Sequence, residues 1–244
     1  TTAPTKRLSD CRRLAVADIH LSAAHPARTD TFFQFLRDTA RGADELYLLG
    51  DLFDVWLGDD DDSALAAGVR RELAALSAAG VGVFIQRGNR DFLLGTRFCR
   101  AVGGRLLPDE YVVAGDGWRV LMMHGDTVCD DAAYMRYRRL TRGRLFAAIA
   151  AVLPLSWRRR LAGRLRRESQ KRRHRAAVSP PLAAAVMRRH GCDVLLHGHT
   201  HTPAGRECWT DNGNTLSRYC LPDWEASPGY ADITAAGVDI VRVE

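Results

Sequence analysis

The chain has 244 residues, 46% of them hydrophobic and 26% charged, with a formal net charge of +6, which suits one large domain with a packed core and excludes a disordered or fibrous polypeptide. The charge is unevenly placed: residues 135–175 hold fifteen Arg or Lys against the single acid Glu168, and the rest of the chain holds 20 bases against 28 acids. The six cysteines (Cys11, Cys99, Cys129, Cys192, Cys208, Cys220) form no CxxC pair, and neither a basic-then-apolar leader nor an 18-residue apolar run is present, so reduced thiols in a cytosolic protein are expected rather than a zinc ribbon, a disulfide scaffold, a signal peptide or a bilayer-spanning helix.

Along the chain, five short apolar runs each lead into a polar cluster: "RRLAVADIH" (12–20), "ELYLLGD" (45–51), "VGVFIQRGN" (81–89), "WRVLMMHGD" (118–126) and "CDVLLHGHTH" (192–201). Continuous apolar runs of this length read as strands covered on both faces. Between them lie helical patterns. Asp30 precedes "TFFQFLRDTA"; "SALAAGVRRELAALSAAG" (63–80) stops at Gly80; "SPPLAAAVMRRHG" has Ser179 as N-cap, Pro180 in the first turn and Gly191 as stop. The alternation predicts an α/β layered fold. After Glu207, "TLSRYCLPDW" and "YADITAAGVDIVRV" read as antiparallel strands closing a second sheet. Residues 131–175 form an Arg-rich, helix-prone insertion between the fourth and fifth of the apolar runs, expected to cap a site within a single domain spanning 1–244.

Ligands in α/β sheets sit beyond the carboxyl ends of the strands, where all five polar clusters fall. They comprise Asp18 and His20; Asp51 with Asp54; Asn89, Arg90 and Asp91; His124 and Asp126; and His197, His199 and His201. Carboxylate and amide oxygens mixed with imidazoles, and no thiolate, suit Mn, Fe, Co or Zn, and the set is too large for one ion. Singly, each cluster has an ordinary explanation as a turn or a chance pair; the ordered set does not.

That set resembles the calcineurin-like metallophosphoesterase superfamily, with its D-x-H, G-D, G-N-[HR]-[DE], H and G-H-x-H pattern. The resemblance implies a sandwich of two mixed β-sheets flanked by helices. It places Asp18, His20 and His201 on one divalent ion, Asn89, His124 and His199 on another, and Asp51 between them. Such a pair of ions, about 3.5–4 Å apart, lowers the pKa of a water toward about 7 and neutralises phosphoryl oxygens in flight. Arg90 stands where many members have a His. A guanidinium does not give up its proton, which makes this residue a charge stabiliser rather than a proton donor and favours a phosphate leaving group, hence a pyrophosphate over a monoester. Pairing with Asp91 is the bland alternative for Arg90.

The surrounding words "LYLLGDLFDVWLGDDDD", "RGNRDFLLGTRFC", "MHGDTVCDDAAYMRYR", "LPLSWRRRLA", "HGHTHTPA" and "LPDW" are similar to the UDP-2,3-diacylglucosamine pyrophosphohydrolases of Gram-negative lipid A synthesis. The resemblance implies attack of water on the α-phosphorus, release of UMP and 2,3-diacylglucosamine 1-phosphate (lipid X), and two Mn²⁺ ions. Asp51, Asn89, Arg90 and His124 would be catalytic. Asn89, Arg90, Asp131, Ser169, Arg173 and His199 would contact substrate, with Lys171 and Arg175 as alternatives to Arg173. The chain departs from the family pattern by one residue after "HGDT", which leaves Asp131 ambiguous by one position, and by the shortened segment "VSPP".

Within the insertion, "LFAAIAAVLPLSW" (145–157) precedes the basic run at 158–175. A buried cap helix is one reading. The other is a surface that takes acyl chains and rests on anionic lipid, giving a peripheral protein on the cytoplasmic face of the inner membrane, monomeric and without an obligate protein partner. A metallo-nuclease, whose basic run would track a nucleic-acid backbone, is the competing function; the lack of stacking aromatics after Trp157 counts against nucleic acid as a partner. "GDDDD" (58–62) reads as a solvated turn, and His25, His174 and His190 as surface or capping residues.

Overall fold

A computed structural model describes residues 11–115, 118–130, 132–160, 177–201 and 205–243. Its strands are, in chain order, β1 (Arg13–Val16), β2 (Glu45–Leu49), β3 (Gly82–Gln86), β4 (Arg105–Leu106), β5 (Tyr111–Gly115), β6 (Trp118–Met123), β7 (Val194–His197), β8 (Gly205–Asp211), β9 (Asn214–Cys220), β10 (Gly229–Thr234) and β11 (Gly237–Arg242). The helices are α1 (Pro26–Asp38), α2 (Ala64–Ala78), α3 (Thr96–Ala101), α4 (Ala132–Thr141), α5 (Arg144–Val152) and α6 (Pro180–His190), with further helical residues at 155–160.

The strands form two mixed sheets, ordered β11-β10-β1-β2-β3-β4 and β5-β6-β7-β9-β8. β1, β2 and β3 run parallel, as do β6, β7 and β9, so six carboxyl ends open toward one edge of the sandwich. Alternation within each run explains its continuous apolarity. Leu14 and Val16 face outward with Leu46, Leu48, Val83 and Ile85 against Phe32, Phe35, Val69, Leu73 and Phe98 of α1–α3. Ala15, Tyr47 and Leu49 face inward and meet Val120, Met122 and Leu196 of the second sheet. On the far side Leu121, Met123 and Leu195 pack on Ala183, Ala184 and Met187 of α6.

The helix boundaries follow local signals with one correction. Ser63 caps α2 by accepting from Ala66 N–H, and Gly80 and Gly191 take positive φ (98° and 60°) after α2 and α6. Ser179 precedes α6 without making a side-chain cap bond. α1 starts at Pro26, four residues before the expected Asp30, because a proline needs no N–H partner in the first helical turn. The C-terminal strands also differ from expectation. β9 joins the second sheet parallel to β7, but β10 and β11 return to the first sheet, β10 antiparallel to β1. The alternating pattern of an edge strand does not say which sheet it joins.

The acidic run is a turn, with Asp60 and Asp62 partly in solvent, but it is not left to solvent alone. Asp59 accepts from Gly95 N–H, Phe98 N–H and Trp56 Nε1–H, fixing the start of α3. Asp60 pairs with Arg158, and Asp61 and Asp62 pair with Arg159 at the start of the basic run. His25 is the residue before α1 and caps nothing with its side chain, and His190 bonds Glu110 at 2.6 Å; His174 lies outside the described residues. No described helix is long and apolar enough to cross a membrane.

Trp224, from "LPDW", is 2% exposed, sits edge-on to Phe32 and Phe35 at 5.5 Å each, and donates Nε1–H to Gly229 O. Trp224→Ala leaves a ring-sized void and is expected to cost about 3–5 kcal/mol in urea denaturation; a loss below about 1 kcal/mol would contradict this packing.

Candidate metal centre

β1 ends in Asp18 and His20, β2 in Asp51, β3 in Asn89 and Arg90, β6 in His124 and β7 in His199 and His201, so every residue of the expected ligand set arrives from a strand's carboxyl end. The loops are bound to one another. Asp18 N–H donates to Gly50 O and His20 N–H to Asp51 O, zipping the loop after β1 along the loop after β2. Asp18 Oδ2 accepts from His199 N–H at 2.6 Å, and Asp51 Oδ1 accepts from Arg90 N–H at 2.8 Å.

The backbone is strained at these positions. Among the described residues six non-glycine residues have positive φ, and five of them are Asp18, His20, Asp51, His199 and His201. That conformation costs of order 1–3 kcal/mol each and persists where surrounding contacts enforce it. Close approach is needed as well: a Cβ on Gly88 would fall on the Asp51 carboxylate, and one on Gly198 on that of Asp18.

Two groups of ligand atoms result. In the first, His20 Nε2 and His201 Nε2 stand 3.2 Å apart, each within 3.8 Å of Asp18 Oδ1, a buried oxygen without a hydrogen-bond partner. In the second, Asn89 Oδ1 lies 2.9 Å from His124 Nε2 and 2.7 Å from His199 Nδ1, with Asp51 Oδ1 3.8 Å from His124. Asp51 Oδ2 also lies 3.9 Å from His20 Nδ1, so Asp51 stands between the groups. Atoms that can only accept a cation or share a proton, converging in a buried space, fit two divalent ions. Asp18, His20 and His201 satisfy the geometry of an ion site, as do Asp18, Asp51 and His124.

Neighbours fix the imidazoles. His201 Nδ1–H faces Asp223 Oδ2 at 2.7 Å and His124 Nδ1–H faces Leu49 O at 2.9 Å, leaving each Nε2 lone pair for an ion. Burial holds His20 well below its usual value, with Arg90 adding to the effect, and burial drives His199 down to about 3, so both imidazoles are neutral. For His201 the Asp223 hydrogen bond raises the value. Burial lowers His124, but Asp51, Asp18 and Asp126 outweigh it and the net direction is up.

Arg90 does not pair with Asp91. Its Nη1 donates to Asp54 Oδ1 at 2.6 Å and its Nε lies 3.7 Å from Asp51 Oδ2, at the rim of the centre. Asp91 turns inward and accepts from the N–H groups of Gly88, Asp51 and Leu52. His197 is fully buried, with Nδ1 on Gly198 O, and belongs to neither ligand group. Asp131, Ser169, Lys171, Arg173 and Arg175 lie outside the described residues. The sequence reading missed Asp223, whose signal was the "LPDW" word, and it missed Tyr134, Arg138 and Arg142. Tyr134 and Arg138 bond Asp126 and Arg142 lies 3.6 Å from it; their four-residue spacing puts them on one helix face but does not say that this face meets the site.

The family model for calcineurin-like phosphoesterases matches residues 11–203. The chain is 40% identical to the UDP-2,3-diacylglucosamine hydrolase of Serratia proteamaculans (strain 568), over 94% of this chain and 98% of that one. It is 41% identical to the protein of the same name in Pseudomonas aeruginosa (strain UCBPP-PA14), over 92% and 95%, and 44% identical to that of Neisseria gonorrhoeae (strain ATCC 700825 / FA 1090), over 86% and 88%.

Burial, with repulsion from Asp91 and Asp18, raises Asp51 to about 7 in the metal-free protein. Protons therefore compete with ions below that pH. Calorimetric titration with Mn²⁺ should show affinity falling between pH 8 and pH 6, on the order of tenfold per unit once below 7, with proton uptake by the buffer on binding. The raised value also means that the metal-free fold is stabilised by protonation of Asp51 at low pH and loses that contribution as pH rises from about 4 to about 7. A pH-independent affinity would show that Asp51 is not a ligand.

Proposed function

The chain belongs to the calcineurin-like phosphoesterase family and, within it, to the UDP-2,3-diacylglucosamine hydrolases, and from that premise we propose that it cleaves the pyrophosphate of UDP-2,3-diacylglucosamine by attack of water on the α-phosphorus, releasing UMP and 2,3-diacylglucosamine 1-phosphate. The observation that carries this reading is the convergence of Asp18, His20, Asp51, Asn89, His124, His199 and His201 into two adjoining ligand groups with an arginine, rather than a proton donor, at their rim. Two divalent ions held by these residues would supply a nucleophilic water near neutral pH and charge neutralisation at phosphorus.

The residues around them do the rest. Arg90, anchored by Asp54 and by its own N–H on Asp51, keeps a fixed positive charge beside the diphosphate and stabilises the departing phosphate without giving up a proton. Asn89, which precedes Arg90 in the chain, shares one ligand group with His199, so both can touch a phosphoryl oxygen in this reading. Asp131, Ser169 and Arg173 complete the substrate contacts in this reading. Mn²⁺ is the ion we assign, since an imidazole, carboxylate and amide donor set suits it.

The nuclease reading finds no support in the relatives or in the first two arginines of the basic run, which are among the described residues. Arg158 is buried and engaged by Leu57 O, Leu153 O and Asp60, and Arg159 by Asp61 and Asp62, so these cations are occupied within the protein.

The insertion supports a peripheral seat on the inner membrane's cytoplasmic face, with the protein acting as a monomer. Tyr137, Leu140, Ile149, Val152 and Trp157 are exposed along it, among exposed Arg136, Arg139 and Arg160. Apolar side chains rimmed by arginine suit an anionic lipid surface.

Turnover of UDP-2,3-diacylglucosamine with Mn²⁺ in H₂¹⁸O should put the label in UMP; label in the lipid phosphate would overturn α-phosphorus attack, and cleavage of an oligonucleotide at comparable rate would restore the nuclease. Sedimentation with anionic vesicles at low salt should retain the protein, and Leu140→Ser with Val152→Ser should release it without loss of thermal stability. Equal sedimentation of both proteins would remove the membrane seat.

A further inference from the structure

The two ligand groups are held from different parts of the chain. The group of Asp18, His20 and His201 is supported by the core. Arg28 of α1 donates to His20 O at 3.1 Å and stands 3.8 Å from Glu225, two residues beyond the Asp223 that orients His201. The group of Asn89, His124 and His199 is supported by the insertion.

That support comes from one face of α4. Tyr134, Arg138 and Arg142 follow each other at four-residue spacing, which aligns them along a helix, and Arg142 N–H still bonds Arg138 O one residue past the end of α4. Together they reach the neighbours of the ligands in the second group. Tyr134 O–H and Arg138 Nε–H both donate to Asp126 Oδ2, at 2.6 and 2.8 Å, and Asp126 lies two residues after His124. Arg142 Nη2–H donates to Gly88 O at 3.0 Å and Arg87 O at 3.3 Å, the carbonyls just before Asn89. The Tyr134 ring lies 5.9 Å from that of His199. Asp109, at the start of the second sheet, takes the remaining fork of both arginines at 2.6 and 2.7 Å. Phe146 of α5 meets Phe92 at 5.9 Å, just beyond Asp91, so the loop carrying Asn89 is touched by the insertion on both sides.

The geometry points to Tyr134, Arg138 and Arg142 as positioning residues for one of the two ions: the insertion is part of the metal centre, bracing the Asn89–His124–His199 group and leaving the Asp18–His20–His201 group to the core. Carbonyls and a carboxylate next to ligands set where those ligands point, and removal of such partners typically costs 10–100-fold in metal affinity. A change in the seating of the insertion therefore acts on the second ion, and the first is indifferent to it.

This rests on the two-ion reading, and the test separates the two ideas. Metal-free protein titrated calorimetrically with Mn²⁺ should take up two ions; uptake of one or none would sink the two-ion reading itself. With two ions present, Arg142→Met should weaken one of them roughly 10–100-fold and leave the other unchanged. In a His201→Ala background, which keeps only the second group intact, the full loss should remain; in an Asn89→Ala background it should vanish. Arg142→Lys, which keeps the charge and loses the fork, should fall between. Tyr134→Phe, which removes one hydroxyl and little packing, should weaken the same ion several-fold should Arg142→Met not fold. Arg159→Ala, which removes an exposed ion pair to Asp62 and leaves the contacts of α4 in place, should change neither affinity. Equal weakening of both ions, or weakening of neither, would overturn the brace.

Discussion

Four carboxylates, Asp18, Asp51, Asp91 and Asp126, are buried where the two sheets open, each 3% exposed or less, and their mutual repulsion is the constraint that the rest of the site answers. Charges cannot be left unpaired in such a place without a cost of several kcal/mol. Two of the four are answered by the protein. Asp91 takes three backbone N–H groups, and Asp126 takes Tyr134 and Arg138 with Arg142 close by. Burial alone would raise Asp126, but His124, Arg138, Arg142 and the Tyr134 hydroxyl together hold it well below the usual carboxylate range. Among the described residues Asp18 and Asp51 have no such cation at hydrogen-bonding distance, and burial pushes both upward. Their complement is a pair of ions, and the facing imidazoles complete it.

The same constraint accounts for the backbone. A sandwich whose strands end together can bring six loops to one place, but each loop must turn sharply to present a side chain inward rather than along its strand. The positive φ values at Asp18, His20, Asp51, His199 and His201 are the result. Glycines at 88 and 198 permit the approach, since any Cβ there would occupy the space of a ligand carboxylate. Strain and close approach thus fall on the residues that carry chemistry, while β1, β2 and β3 behind them are regular and densely packed.

The described part of the insertion is tied to this core by charged pairs. Its cations meet Asp60, Asp61 and Asp62 at one end and Asp109 and Asp126 at the other. Exposed members of that set contribute little each, whereas Arg138 and Arg142, about 13–14% exposed, work in a drier setting. The outer surface keeps its large apolar side chains in solvent. An element fastened by buried charge on one side and apolar on the other suits a position between a phosphate-cleaving centre and a lipid.

The amino-acid sequence by itself determined the layered α/β fold and the strand runs that end in polar clusters, because a doubly covered strand and the loop that follows it both write short, contiguous patterns. It left β10 and β11 to be assigned to a sheet, the start of α1 to be moved to Pro26, and the acidic run 58–62 to be recognised as a clasp, because each depends on a partner distant in the chain. Arg90 shows the division within one residue. Its inability to act as an acid follows from its chemistry, but whether it pairs with Asp91 or Asp54 depended on which carboxylate the fold turned inward. Tyr134, Arg138 and Arg142 were hidden among many arginines, and only the docking of α4 on the loops of Asn89 and His124 distinguished them. Local patterns are fixed by periodicity and residue type; the pairing of buried charges is decided by three-dimensional proximity, and that belongs to the tertiary structure.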